Sequence, residues 1–301
     1  MQCPPFLRPG DRIGVTSTAR KIRPEELQAA LDALRSWGLE PVTSPQLYAV
    51  DHQFAGTDAQ RRSDLQGFLD DPSIRAILCA RGGYGTQRIV DALDLSTFTE
   101  HPKWVMGFSD ITSLLATFDR VGVASIHGPM GLSWDGKTSD ADSREALRKL
   151  LFGEWPRYDW APHPLNRSGT ATARLVGGNL SIVHCNLATA TQTDTRGTLL
   201  FLEDLDEYLY HLDRMLVHLK RAGQLRDLAG LVVGGMTDMN DNAQAFGRTA
   251  EEIIREAVEE YDYPVTFGFP AGHQPANYPL VIGAAATLEV EANRCTLSFV
   301  E

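Results

Sequence analysis

Short apolar runs alternate with longer stretches of helical period along nearly the whole chain, and no other feature narrows its possible folds so far. Runs at 11–16, 39–43, 76–79, 105–106 and 122–126 read as strands, and stretches at 24–37, 57–69, 86–93, 111–118 and 143–152 read as helices. Pro24 stands near the start of the first helix and Gly38 just past its end, the asymmetry that helix termini favour. Strand and helix in strict alternation predict parallel βαβ units and an α/β layer sandwich. The second half repeats the alternation with strands at 170–176, 198–202, 228–233 and 265–269 and helices at 180–189, 208–221 and 249–261. Two alternating runs, 284–291 and 294–300, then predict a terminal hairpin. Between the halves, 154–169 is rich in Pro, Trp and polar residues and has no period. A chain of 301 residues is long for a single core. We therefore expect an N-terminal α/β domain over 1–153, a linker over 154–169 and a smaller C-terminal α/β domain over 170–301.

Charge and composition limit the partners. The 28 basic and 39 acidic residues give a formal charge of −11, which argues against a nucleic-acid or anionic-membrane surface and favours a small molecule or peptide. Cys3, Cys79, Cys185 and Cys295 are scattered, with no CxxC and no zinc-ligand spacing, so no metal site is expected. No run of about 18 apolar residues occurs, and the first residues lack an apolar leader. A cytoplasmic location is the expectation.

In an open α/β sheet, ligands sit beyond the carboxyl ends of the strands. Two loops fall at that edge. Gly107-Phe108-Ser109-Asp110 joins a strand to a helix, and a serine on such a turn presents its hydroxyl above the sheet. The plain alternative is that Ser109 or Asp110 merely caps the helix. Ile111 stands where the general hydrolase elbow has glycine. The second loop, Arg81-Gly82-Gly83-Tyr84-Gly85, has glycines that let backbone N–H groups approach a ligand. It offers half of an oxyanion hole, through Gly83 N–H beside Asp110 N–H, or else a tight turn; the lysine of a P-loop is missing.

A serine needs a base, and the base needs a group that fixes its tautomer. Glu203 follows a buried strand and requires a donor there, since an unpaired carboxylate is costly to bury. His273 lies in a loop past another strand, and His127 at a further strand end. Ser109, Glu203 and His273 come from both halves, so they can act together only in a cleft between domains.

Several motifs together give the chain a family likeness. ARGGYG at 80–85, GFSDIT at 107–112, IHGPM at 126–130, GGNL at 177–180, LFLEDLDE with DRML within 200–216, and GFPAGH with LVIGA within 268–284 resemble the LD-carboxypeptidase family of serine peptidases. That family includes muramoyltetrapeptide carboxypeptidases and microcin C immunity hydrolases. The resemblance implies a Rossmann-like parallel-sheet domain joined to a smaller α/β domain, the active site in the cleft, and a homodimer. It implies Ser109 as nucleophile, His273 as base and Glu203 as its orienting group, with Gly83 and Asp110 N–H groups as oxyanion donors. An SD-Ile sequence is normal for the family, which removes the objection from Ile111. The implied substrate is a murein tetrapeptide cut before its terminal D-alanine in cell-wall recycling, with no cofactor. Arg81, Gly82 and His127 are candidate substrate contacts. An immunity-type hydrolase of acyl-nucleotide conjugates is the alternative within the family, and a non-catalytic small-ligand binder the alternative outside it.

Overall fold

The computed structural model describes residues 1–135 and 140–299. Its first half runs β1 (Arg12–Thr16), α1 (Pro24–Ser36), β2 (Glu40–Thr43), α2 (Asp58–Asp70), β3 (Ile74–Cys79), α3 (Ser96–Glu100), β4 (Trp104–Gly107), α4 (Thr112–Arg120), β5 (Ser125–His127) and α5 (Ala141–Leu151). Helix α1 forms where the pattern places it: Leu27, Ala30, Leu31 and Leu34 share its buried face, and at its start Glu26 Oε2 accepts the Arg23 N–H at 2.8 Å. Strands β3 and β4 are buried almost throughout, as inner parallel strands covered on both faces should be.

The second half runs β6 (Arg157–Trp160), β7 (Gly169–Asn179), α6 (Leu180–Cys185), β8 (Leu199–Leu205), α7 (Leu209–Arg221), β9 (Gly230–Thr237), α8 (Ala250–Ala257), β10 (Val265–Thr266), β11 (Leu280–Ile282), β12 (Ala285–Val290) and β13 (Cys295–Phe299). The described strands make two sheets, ordered β11-β5-β4-β3-β1-β2 and β10-β9-β8-β7-β12-β13-β6. Strands β1 to β5 are mutually parallel, and so are β7 to β10. The antiparallel additions are β11 on the first sheet and β12, β13 and β6 on the second.

Several expectations need correction. Residues 86–93 form not an α-helix but two 3-10 turns, Thr86–Arg88 and Val90–Ala92. The stretch 154–169 is no bare linker: β6 pairs with β13 and half-buries Tyr158 and Trp160 at a period of two. Sparse apolar content disguised it, as it does for an edge strand. The helix beginning at Leu180 stops at Cys185, and the strand from Val265 stops at Thr266, which frees the chain to build the loop that follows. Strand β11 returns from the second half to pair with β5, a long-range exchange that no local pattern signals. Val300, the last residue of the expected hairpin, lies outside the described residues.

One apolar cluster runs from Val15, Leu78 and Val105 through Phe201 and Phe269, so the two sheets share a core. A second cluster, including Leu202, Leu216 and Ile254, lies under α6 to α8. The carboxyl ends of β3, β4 and β8 open on the seam.

Candidate active site

Strand β4 ends at Gly107, and two residues later Ser109 takes φ +62°, a left-handed conformation that glycine favours. For a residue with a side chain this costs about 1–2 kcal/mol, and it persists only where the surroundings impose it. The capping alternative does not hold for either side chain. Ser109 makes no side-chain hydrogen bond among the described residues, and the Asp110 carboxylate turns away to accept Thr86 N–H at 2.8 Å. What the turn leaves available is the serine hydroxyl and the first N–H groups of the helix entry, which have no intrahelical acceptor.

The glycine loop lies against this elbow. A Cβ on Gly82 would sit 3.2 Å from Ser109 Cβ and 3.4 Å from Phe108 O, so bare backbone is what permits the approach. Asp110 fastens the two loops together, since Thr86 directly follows Gly85. Burial raises the Asp110 pKa, while the Thr86 donors pull it the other way.

On the facing side, Glu203 is fully buried within β8. The register with β9 slips between Leu202 and Asp204, setting Gly234 and Gly235 opposite Glu203 as a bulge, a device that re-aims side chains at sheet edges. Val233 O and Gly235 N–H then bond Phe269 N–H and Ala271 O at 3.1 and 3.0 Å, docking the loop that carries His273. Gly272 takes φ +109°, and a Cβ there would lie 2.6 Å from Glu203 Oε2. Only glycine brings the histidine this close. Glu203 Oε2 accepts the backbone N–H of His273 at 3.1 Å and faces its Nδ1 at 2.7 Å. An ionised carboxylate has no proton to give, so Nδ1 donates and Nε2 is left as the acceptor. Burial alone would lower the His273 pKa, but the Glu203 charge and hydrogen bond carry it above the ordinary value. Glu203 moves oppositely: burial raises it, and the charge and hydrogen bond of His273 bring it below the usual range.

The halves meet through Phe108, whose ring centroid is 4.8 Å from that of His273. The residue before Ser109 thus packs on the imidazole, while the hydroxyl itself has no hydrogen bond among the described residues; such links often tighten only when substrate arrives. Thr112 Oγ1, at the start of α4, accepts Asn179 N–H at 3.0 Å, and Asn179 Nδ2 donates to Asp204 at 2.9 Å. These residues tie the elbow to the strand of Glu203. The chain motifs GFSDIT and GGNL contain them, but spacing alone gave no role to either.

Two candidate contacts have packing or partners of their own. His127 is completely buried, packed between Phe108 and Phe201 at 5.8 and 4.9 Å. Burial takes its pKa down to about 4, which keeps it neutral. Arg81 donates to Lys21 O at 3.2 Å. Among the described residues no group of three His, Cys, Asp or Glu is arranged to hold a metal, and no helix is long and apolar enough to cross a membrane.

A hydroxyl on a strained turn, a histidine whose Nδ1 is held by a buried carboxylate, and N–H groups at a helix entry are the parts an acyl-transfer site needs. Comparison with known proteins points the same way. The LD-carboxypeptidase N-terminal domain matches residues 13–128 and the C-terminal domain of that family matches 172–288. A Bacillus subtilis protein named "Probable murein peptide carboxypeptidase" is 37% identical over 290 residues, covering 95% of this chain and 91% of its own. The structure of muramoyltetrapeptide carboxypeptidase from Oxalobacter formigenes superposes with a TM-score of 0.87 at 25% identity, over 96% of this chain and 99% of that one. MccF in complex with glutamyl sulfamoyl guanosine also gives a TM-score of 0.87, at 20% identity over 99% of this chain and 98% of that one, a likeness of fold.

Proposed function

This chain belongs to the LD-carboxypeptidase family, and from that premise we propose that it is a serine carboxypeptidase that removes the terminal D-alanine from murein tetrapeptides. The observation that carries this reading is the 2.7 Å contact of His273 Nδ1 with buried Glu203, across a seam from a serine at φ +62°. Ser109 Oγ attacks the carbonyl of the L-configured centre and His273 Nε2 takes its proton. The N–H groups of Gly83 and Asp110 receive the oxyanion, with Gly82 N–H as the alternative to Gly83. Collapse breaks the C–N bond, and the proton on Nε2 passes to the departing amine of D-alanine. Water then adds to the acyl-serine with the same histidine as base, and the serine proton is restored. Glu203 stays ionised throughout and stabilises the imidazolium. The reading places the enzyme in murein recycling, in the cytoplasm and as a homodimer, as the family likeness implies.

A second reading, hydrolysis of an acyl-nucleotide conjugate, draws on the fold shared with MccF. No obvious sequence insertion between Glu203 and His273 supplies a nucleobase contact, which favours the peptidase. Purified protein offered a murein tetrapeptide and an acyl-sulfamoyl nucleotide separately should release D-alanine from the first. Turnover of the nucleotide alone would overturn the assignment.

A further inference from the structure

An enzyme that removes only a terminal residue has to recognise the carboxylate that marks the terminus, and a cation does so through charge-assisted hydrogen bonds. Arg81 is poorly disposed for it: its guanidinium is held on Lys21 O at 3.2 Å, and its charge lies close enough to Glu26 to lower that carboxyl. Arg20 is disposed differently. A Cβ on Gly83 would lie 2.5, 2.8 and 2.9 Å from Arg20 Cδ, Cγ and Nε, so the arginine occupies the space a side chain at 83 would fill. Its backbone is pinned there, Arg20 N–H reaching Gly82 O at 3.4 Å and Ser17 Oγ donating to Arg20 O at 2.8 Å. Gly82 in turn faces the elbow, where a Cβ on it would lie 3.2 Å from Ser109 Cβ. The cation therefore stands one glycine away from the contact with the elbow.

Neighbouring arginines are neutralised. Arg23 pairs with Glu25 and Glu26 at 3.4 and 3.2 Å, and Arg88 with Asp58 at 2.8 Å. Arg20 is exposed, and among the described residues it has no carboxylate partner. In a chain of formal charge −11, an uncommitted guanidinium laid over the oxyanion loop is set to take an incoming anion. We propose that Arg20 is a specificity-determining residue that binds the C-terminal carboxylate of the peptide, and so makes the enzyme a carboxypeptidase rather than an endopeptidase. This inference rests on the peptidase reading above.

The test compares a tetrapeptide ending in D-alanine with the same peptide amidated at its C-terminus, for wild type, Arg20→Met and Arg20→Lys. Methionine keeps an apolar stem over Gly83 and removes the charge. Wild type should prefer the free acid, and Arg20→Met should lower kcat/KM for the acid about 10- to 100-fold, mainly through KM, so that the preference disappears. Arg20→Lys should recover part of it. An unchanged acid-to-amide ratio in Arg20→Met overturns the inference, as does an equal fall on both peptides, which would mean that Arg20 only supports the loop. Either result leaves the peptidase reading standing. Wild type that releases no D-alanine from the acid defeats both.

Discussion

Ser109 and His273 reach one seam by opposite means. The serine is aimed by its backbone, held at φ +62° with the bare glycine loop packed against it, and no hydrogen bond among the described residues fixes its side chain. The histidine is aimed by its side chain, through a 2.7 Å contact to a fully buried carboxylate that also takes its own N–H. One half stores strain and the other stores charge. The difference has a consequence for stability: relieving strain should cost only activity, whereas breaking a buried charge pair should cost both.

The largest test is therefore at Ser109. Ser109→Ala should lower kcat for D-alanine release about 10⁶-fold. Ser109→Gly should be as inactive, yet melt at the same temperature or higher, since glycine accepts the positive φ and relieves about 1 kcal/mol. Thermal unfolding that shows a clear loss in Ser109→Gly would deny the strain. Next comes Glu203→Gln, expected to lower kcat about 10⁴-fold. The acid limb of its pH–rate profile should also move down, because the charge that raises the His273 pKa is removed.

Linkage gives that variant a pH signature. His273 is raised above its ordinary 6.5, so its share of stability is complete below that pH and lost as pH rises through the folded value. Glu203 is depressed below its ordinary 4.5, so its share is complete above that pH and lost as pH falls through the folded value. The dyad stabilises most between these limits. Denaturant unfolding near pH about 5.5 should show the widest gap between wild type and Glu203→Gln, narrowing toward pH about 9. A gap constant with pH would mean that the pair carries no net charge coupling.

Gly272→Ala is intermediate. Its methyl would meet Glu203 Oε2 at 2.6 Å at a φ of +109°. We expect a loss of about 1–3 kcal/mol in denaturant unfolding and about 100-fold in kcat from a displaced imidazole. Smallest is Asn179→Ala, which removes the cap on Ile182 N–H at 3.3 Å and the bond to Asp204. About 1 kcal/mol of stability should go, with kcat falling about tenfold or less. A larger kinetic than thermodynamic effect there would place Asn179 nearer the chemistry than its contacts do.

What could be read from residues alone follows the same division. A carboxylate at the end of an apolar strand announces that it needs a donor, and the structure supplies one to Glu203 from His273. The alternation of strand and helix locates the loop edge where Ser109 and the glycines lie. Backbone conformation was not legible: nothing in GFSD gives the sign of φ at Ser109, and nothing in the β9 sequence shows that Gly234 and Gly235 share one partner. Nor was burial at His127, which depends on Phe108 in the loop after β4 and Phe201 in β8 closing over it. Arg20 was silent for the same reason, because its meaning arises only where Gly83 comes to lie beneath it.

The most direct measurement is covalent labelling with a fluorophosphonate, read by peptide mass spectrometry in wild type, Ser109→Ala and His273→Ala. One adduct on Ser109 is expected in wild type, none in Ser109→Ala, and formation slowed by orders of magnitude in His273→Ala. Absence of reaction in wild type, an adduct elsewhere, or an undiminished rate without His273 would contradict a serine activated across the seam.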